Sequence, residues 1–565
     1  MRTAGEALRK SGATDPTTDR ESNIARLRSE TFDVAIIGGG ITGAAIARDA
    51  AMRGLKTALL DKGDFACATS SHSSKLIHGG LRYLPQGQLG LVYRALRERE
   101  RLRHLTAPHL VRPIRFLFPF YDSRRPSRIA VSAGLILYDL FALTPSPERH
   151  RRLNHHQVSQ YEPTLKREGL LGGVTYLDAK GDDSRITLEN VLDAAYCGAV
   201  AANYVAVTEL GRTKDRLRTL WVRDIESGER FEIRTHVIVN ATGPWADQIR
   251  RMDDETCRRL VRLTKGAHLV VDSSRLPLQN SLVLTDEQGR IIFLIRYDHC
   301  VLIGTTDADF SGSADDVRVD TADADYLLHA VNDHFPGVHL RYRDITACFA
   351  GLRSLPMSKH FHPSDVRRDV IIEVSPSGLL TVAGGKLTTH REIAVRAVNC
   401  VTRILRYGRS RSPTASTPLP GARCLLITSH SLNQLSLETR QLLLERYGGR
   451  AELVARLATE RPELLESLGP RSSAIAAEVV FAIRYEFART ICDFTSRRTT
   501  MAWVAPDAAR ASGPVIANLM AEELDWSMER KQLELRALMQ DLDRGKLSSS
   551  DPALSENSNL LLVPG

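Results

Sequence analysis

Three glycines carry the first legible chemistry in this chain. Residues 33–37 form a short apolar run that ends in Gly38, Gly40 and Gly43, spaced G-x-G-x-x-G at the head of a small-residue helix. That spacing serves a dinucleotide pyrophosphate. The first glycine makes the turn, the second admits the phosphate to the backbone, and the third lets helix and strand close together. Amides at the helix N-terminus then face the anion. A second apolar strand at 57–60 ends in Asp61, at the separation expected of a carboxylate that accepts ribose hydroxyls. A bare glycine triplet is as readily a packing turn, but strand, turn, helix, strand and acid in this order make a complete βαβ unit. At this step nicotinamide and flavin nucleotides fit equally.

The stretch after Asp61 favours flavin. Residues 68–83, ATSSHSSKLIHGGLRY, are too polar for a crossover helix and dense in hydroxyls and glycines. They suit a backbone wrapped around a pyrophosphate and a ring edge, with Leu76, Ile77 and Leu81 as anchors that a merely flexible loop would not need. His78, Arg82 and Tyr83 can present side chains beyond that backbone. A later strand delivers Ala241, Thr242 and Gly243, small residues that let a cofactor approach the main chain. Another closes in Gly384-Gly385-Lys386-Leu387-Thr388 at the start of a helix, where amides and the Lys386 ammonium favour the negative charge of a reduced flavin.

The elements that must position these groups are legible by periodicity. Residues 263–310 alternate in strand fashion between turn residues, which predicts an antiparallel sheet. Its first strand carries Lys265, Gly266 and His268, and its last ends in Gly304-Thr305-Thr306-Asp307. A lone strand histidine is more often a satisfied structural residue than a reactive one, and on that footing His268 stands beside His78 as a candidate base. From 421 to 545 apolar residues recur at three- and four-residue spacing, which predicts a helical domain, with 411–420 as linker and 546–565 as a polar tail. Residues 1–30 show no apolar periodicity and are expected to be a disordered extension.

Composition bounds the rest. The 565 residues, 43% hydrophobic and 25% charged, are enough for several domains with a buried core. Eight cysteines without a C-x-x-C pair indicate reduced thiols and offer no metal-ligand spacing. Residues 94–152 hold 13 Arg and no Lys against 5 acids, most of the formal +9 of the whole chain. Within them, 129–143 is apolar but too short, and too interrupted by Asp139, to span a bilayer. Flanked by Arg124, Arg125 and Arg128 it fits an anionic lipid surface; a buried helix beside a solvated basic loop fits equally. Nucleic acid is disfavoured, because no recognised motif or array of stacking aromatics accompanies the charge.

Taken together, ATSS-x-SSKLIHGGLRYL closely resembles the signature of the FAD-dependent glycerol-3-phosphate dehydrogenases, the respiratory, quinone-linked type within the glycine/D-amino-acid oxidase-like flavoenzymes. Asp182-Asp183-Ser184-Arg185, Lys265-Gly266-x-His268, Gly304-Thr305-Thr306-Asp307, and 485–490 with Arg497-Arg498-Thr499 resemble that family too. The chain departs from it where the family's G-V-R-P and T-T-Y-R patterns are replaced through Leu352, Ser354 and His390.

The resemblance, over about 33–544, implies an α/β + α protein. Its parts are a Rossmann-like FAD-binding domain of the D-amino-acid oxidase type (about 31–85, 170–260 and 345–410), an antiparallel substrate sheet (about 261–345) and a C-terminal helical domain. It implies oxidation of sn-glycerol 3-phosphate by hydride transfer from C2 to FAD, with electrons passed to a membrane quinone, in a cytoplasmic protein peripheral to the inner face of the membrane. An oxygen-using oxidase and a noncatalytic flavin binder are the alternatives, and a homodimer is left open.

FAD is then expected on Gly38, Gly40, Gly43, Asp61, Thr69, Ser70, Ser71, Ser74, Lys75, His78, Gly79 and Val207, and on Ala241, Thr242, Gly243, Gly385, Lys386, Leu387 and Thr388. Substrate is expected on Arg82, Tyr83, Arg353, Arg368 and Lys386, because guanidinium groups bind phosphate oxygens in pairs. The catalytic candidates are His78, His268 and Arg353, an imidazole being suited to taking a hydroxyl proton near neutral pH.

Overall fold

The computed structural model describes residues 15, 17–81, 88–122, 128–142, 149–212, 218–297, 299–357, 370–408, 410–423, 430–472 and 474–547. Arg82, Tyr83, Arg124, Arg125, Arg368, residues 1–14 and the tail from 548 lie outside them, as does the side chain of Arg128.

The apolar run of the glycine turn is the strand Thr31–Ile37, and it lies inside an eight-stranded sheet. Along the sheet the order is Val370–Val374, Leu380–Gly384, Arg230–Asn240, Thr31–Ile37, Thr57–Leu60, Val200–Ala202, with the hairpin Val205–Arg212 and Arg218–Asp224 continuing from Arg230–Asn240. The four central pairings are parallel. Strands covered on both faces are apolar throughout rather than alternating, and Val34, Ala35 and Ile36 are all fully buried. Helix Ile41–Met52 covers one face with Ala44, Ala47 and Ala50, small enough for close contact with helices Asp183–Tyr196 and His390–Ile404.

The second sheet has nine strands and is larger than the sequence reading of 261–345. Leu170–Gly181 and Ile345–Pro356, expected in the FAD-binding parts, belong to it instead, and Val111–Tyr121 joins them. All its pairings are antiparallel except Ser281–Thr285 with Val111–Tyr121. The correction has a plain cause: each of these strands finds its partner far away in sequence, and nothing local says which sheet an apolar run will join.

Residues 17–30 are also corrected. Arg20–Ser29 is a helix, capped by the Asp19 carboxylate that accepts the Ser22 amide at 3.0 Å. It shows no apolar stripe because only Asn23 and Leu27 are buried, and the Arg20–Asp224 ion pair at 2.6 Å docks it on the first sheet.

The helical domain follows the three- and four-residue pattern, with Leu437–Tyr447, Ala451–Glu460, Ala476–Tyr485, Pro506–Leu524 and Met528–Arg544 closing around Tyr447, Phe481 and Phe494. One of its ties to the rest is a dry cluster of charges. The Glu486 carboxylate, wholly buried, accepts both Arg185 amino groups at 2.5 and 2.8 Å and Arg450 at 2.6 Å. Removing one side of a buried ion pair strands the other, so Glu486→Leu is expected to lower unfolding stability by about 3–5 kcal/mol. A urea titration reads this directly, and a loss within 1 kcal/mol would mean that water reaches the arginines.

Candidate active site

The glycine turn is assembled by register. Ile37 pairs with Leu60 on one side and with Asn240 on the other, so Gly38, Asp61 and Ala241 emerge together at the carboxyl ends of three parallel strands. Gly38 sits at φ 107°, where a Cβ would lie 2.6 Å from the Ala241 carbonyl oxygen. Gly43 is packed harder still, its absent Cβ only 1.8 Å from the Gly38 oxygen. Gly40 differs, for a Cβ there would meet only the Ser70 hydroxyl, at 3.1 Å, and otherwise project into open space. Ser70 Oγ accepts the Ile41 amide at 2.9 Å, and the first intrahelical bond, Ala44 N to Gly40 O, leaves the Thr42 and Gly43 amides ahead of it. Asp61 accepts the Gly39 amide at 2.6 Å and the Gly63 amide at 2.9 Å, while burial pushes its carboxyl up to about 6.

From this turn a cavity of about 390 Å³ runs to the second sheet. His268, Gly266 and Arg353 meet it from paired strands: His268 lies opposite Phe349, Gly266 opposite Gly351 and Thr264 opposite Arg353, all on one face. Glycine makes the room. A Cβ on Gly266 would be 2.3 Å from Arg353 Nη2, and one on Gly304 would be 2.2 Å from His268 Cδ2. Arg353, about a fifth exposed, donates to Thr305 Oγ1 at 2.9 Å, Thr306 O at 3.3 Å and Asp307 Oδ1 at 3.1 Å.

His268 is buried, stacked on Phe349 at 5.0 Å, with Nε2 2.8 Å from Ser74 Oγ and Nδ1 buried without a hydrogen-bond partner among the described residues. Burial first, then the positive charges of Arg353 and Lys75, hold it far below the usual histidine range, so it is neutral at pH 7. Lys386 lines the cavity beside Gly384 and Gly385, both in the left-handed region at φ 75° and 84°, and opens the turn Leu387–Thr389.

Of the expected cofactor residues, Thr69, Ser70, Ser74, His78, Val207, Ala241, Thr242, Gly243, Gly385, Lys386 and Leu387 line this cavity with Gly38, Gly40 and Asp61. Others do not. Lys75 is turned to Asp183 at 2.5 Å, and Ser71 bonds back to Ala68 O at 3.1 Å. A Cβ on Gly79 would be 2.2 Å from Leu96, and Thr388 donates its hydroxyl to His78 O at 3.2 Å. Gly43 does not line the cavity, and its missing side chain serves close packing of the helix on the turn, as its role in the motif requires. The sequence reading missed His72, Phe118, Tyr176 and Phe293 on the cavity wall. The period-two aromatics Phe116, Phe118 and Phe120 were a signal for a strand there, though not for the sheet it would join.

Residues 33–391 match the family model described as FAD dependent oxidoreductase, and 412–531 match the C-terminal domain of alpha-glycerophosphate oxidase. A glycerol-3-phosphate dehydrogenase of Synechocystis sp. is 35% identical over 91% of this chain and 97% of its own length. The chain belongs to the FAD-dependent glycerol-3-phosphate dehydrogenases. The aerobic glycerol-3-phosphate dehydrogenase of Bacillus subtilis is 33% identical over 91% of this chain and 95% of its own. The crystal structure of the Bacillus halodurans glycerol-3-phosphate dehydrogenase, complexed with FAD, superposes with a TM-score of 0.79 at 30% identity, covering 94% and 98% of the two chains. L-alpha-glycerophosphate oxidase from Mycoplasma pneumoniae shares the fold, with a TM-score of 0.53 at 20% identity over 69% of this chain.

FAD, the cofactor of these dehydrogenases, fits the residues present. The open cradle at Gly40 is one that any Cβ would begin to fill, and Ile41 and Thr42 beyond it also line the cavity. Asp61 lines the cavity where it would accept ribose hydroxyls, and Lys386 with the Gly384-Gly385 turn lines it where they would meet the ring.

Proposed function

We propose that the protein oxidises sn-glycerol 3-phosphate at C2 to dihydroxyacetone phosphate and passes the electrons to a membrane quinone. Bound FAD supplies the hydride acceptor. The observation that carries the reading is the convergence, on one sheet face against the cavity, of a buried, neutral histidine and an arginine fork. His268 takes the C2 hydroxyl proton, with His78 on the same cavity as the alternative base. Arg353 and Lys386 bind the phosphate or the developing alkoxide, and Arg82, Tyr83 and Arg368 are assigned to the same anion. Anaerobic mixing with glycerol 3-phosphate tests this, because a dehydrogenase bleaches its flavin absorbance and a noncatalytic flavin binder does not.

Arg353 can be tested separately. Arg353→Lys keeps the charge but loses the planar fork, and one charge-assisted hydrogen bond in a buried site is worth about 1.5–3 kcal/mol. Efficiency for glycerol 3-phosphate is expected to fall roughly tenfold to a hundredfold, with little further loss for glycerol, which lacks the phosphate. Equal losses for both substrates would remove Arg353 from phosphate recognition.

A quinone, rather than oxygen, is favoured by the surface. Ile136 and Leu140 are 55% and 65% exposed on helix Arg128–Ala142, which packs against helix Leu89–Arg101 with its exposed Leu89, Tyr93, Arg94 and Arg97. Apolar residues rimmed by arginines suit the interface of an anionic bilayer, and no helix among the described residues is long and apolar enough to cross one. Sedimentation with vesicles is expected to rise with anionic lipid content and to weaken in high salt without vanishing. Binding indifferent to lipid charge, and unchanged when Arg124, Arg125 and Arg128 are neutralised together, would leave the basic segment a solvated surface.

A further inference from the structure

The segment of the helical domain between Tyr485 and Arg498 reaches the back of the cofactor cradle. Asp64, three residues beyond Asp61, is buried with both oxygens engaged. One accepts Arg497 Nε at 2.5 Å and Arg498 Nη1; the other accepts Arg498 Nη2 at 2.9 Å and Asn203 Nδ2 at 3.0 Å. The same Arg498 guanidinium donates to the Glu486 carbonyl at 3.0 and 2.7 Å, and Asn203 donates to the Phe487 carbonyl at 2.8 Å. Phe487 meets Phe65 edge-on at 5.3 Å, and Phe65 lies against Gly39 so closely that a Cβ there would be 2.3 Å from its ring. Gly39 is the middle of the glycine turn, and its amide is the one that Asp61 holds.

The loop 61–67 carries Asp61, Lys62 and Cys67 onto the cavity wall, yet it contains no strand or helix of its own. Its backbone ties reach Gly39, Ala202, Tyr204 and Val205, and its Asp64 and Phe65 side chains are anchored from the helical domain. A carboxylate and a glycine turn bind a dinucleotide well only when already held in place, since ordering them on binding costs affinity.

We propose that the C-terminal helical domain is a clamp on the nucleotide end of the FAD cradle, in which Asp64, Arg498 and Phe487 are positioning residues that set how long the flavin is held. None of the three lines the cavity, so they act through Asp61 and the glycine turn. The inference concerns FAD retention alone and stands whatever the substrate or electron acceptor.

The experiment follows the fluorescence of FAD released from diluted holoenzyme, with no substrate present, for the parent, Asp64→Asn, Phe487→Leu and Glu478→Gln. Glu478 is the control: it is buried in the helical domain, accepts Arg446 and the Tyr447 hydroxyl, and touches nothing in the loop 61–67. Its loss weakens the domain without touching the clamp. Asp64→Asn and Phe487→Leu are expected to release FAD at least fivefold faster than the parent, with kcat at saturating FAD within twofold, while Glu478→Gln stays below fivefold. Should Asp64→Asn fail to fold, Phe487→Leu decides alone, since it leaves no buried charge unpaired. Release less than fivefold faster from Phe487→Leu, or an equal acceleration in Glu478→Gln, overturns the proposal.

Discussion

Replacing His268 with Gln is expected to lower kcat by about 10²–10⁴-fold while leaving the flavin content unchanged, the range that a positioned general base contributes. The size follows from the environment of the ring. Stacked on Phe349 and fixed through Nε2 to Ser74, the imidazole lines the cavity with no freedom to turn away. Because burial and the nearby cations hold it far below 6.5, the parent's acid limb of kcat/KM should also lie well below that value, and it should disappear in the variant. His78→Gln is the discriminating partner. A loss of this size in His78→Gln, with His268→Gln near parental, would hand the base to His78.

The same burial makes stability depend on pH in a definite direction. His72, His268 and His390 are all lowered in the folded protein, chiefly by desolvation, His390 to about 4. Below 6.5 the unfolded chain takes up protons that the folded one refuses, so this stability is present above 6.5 and is lost as pH falls. Each such group costs up to about 1.4 kcal/mol per pH unit. His268→Gln removes one of the three, and its urea midpoint should vary less steeply between pH 6.5 and 5 than the parent's.

Gly40→Val should yield a folded but colourless protein. In the glycine turn only Gly40 has space where the side chain would go, its nearest neighbour being the end of the Ser70 side chain at 3.1 Å. The polypeptide therefore accommodates valine with a small shift, whereas the pyrophosphate cannot share that space. Gly43→Val is the contrast: its Cβ would sit 1.8 Å from a backbone oxygen, so it should fail to fold rather than fold empty. Absorbance near the flavin band against protein concentration reads both, and full flavin content in soluble Gly40→Val would place the phosphate elsewhere.

The sequence by itself determined what local chemistry determines. Gly38, Gly40, Gly43 and Asp61 build a turn set by backbone shape and short spacing, so the turn is written where they stand. The helices after 421 are likewise fixed by the spacing of apolar residues along one face. Direction and partnership were decided only by the tertiary structure. Lys75 sits among cofactor-facing hydroxyls in the chain, yet at φ 56° it turns to a carboxylate 108 residues away, because a buried ammonium needs its counter-ion more than the cavity needs a cation. Helix Arg20–Ser29 has no apolar stripe, since it docks through the single buried Leu27 and an ion pair with Asp224 that no periodicity announces. Arg353 owes its place to Gly266, 87 residues earlier in the chain, whose missing side chain is the space the guanidinium fills. The C-terminal domain reached the loop behind the glycine turn in the same way, through Asp64 and Arg498, two opposite charges that burial obliges to find each other.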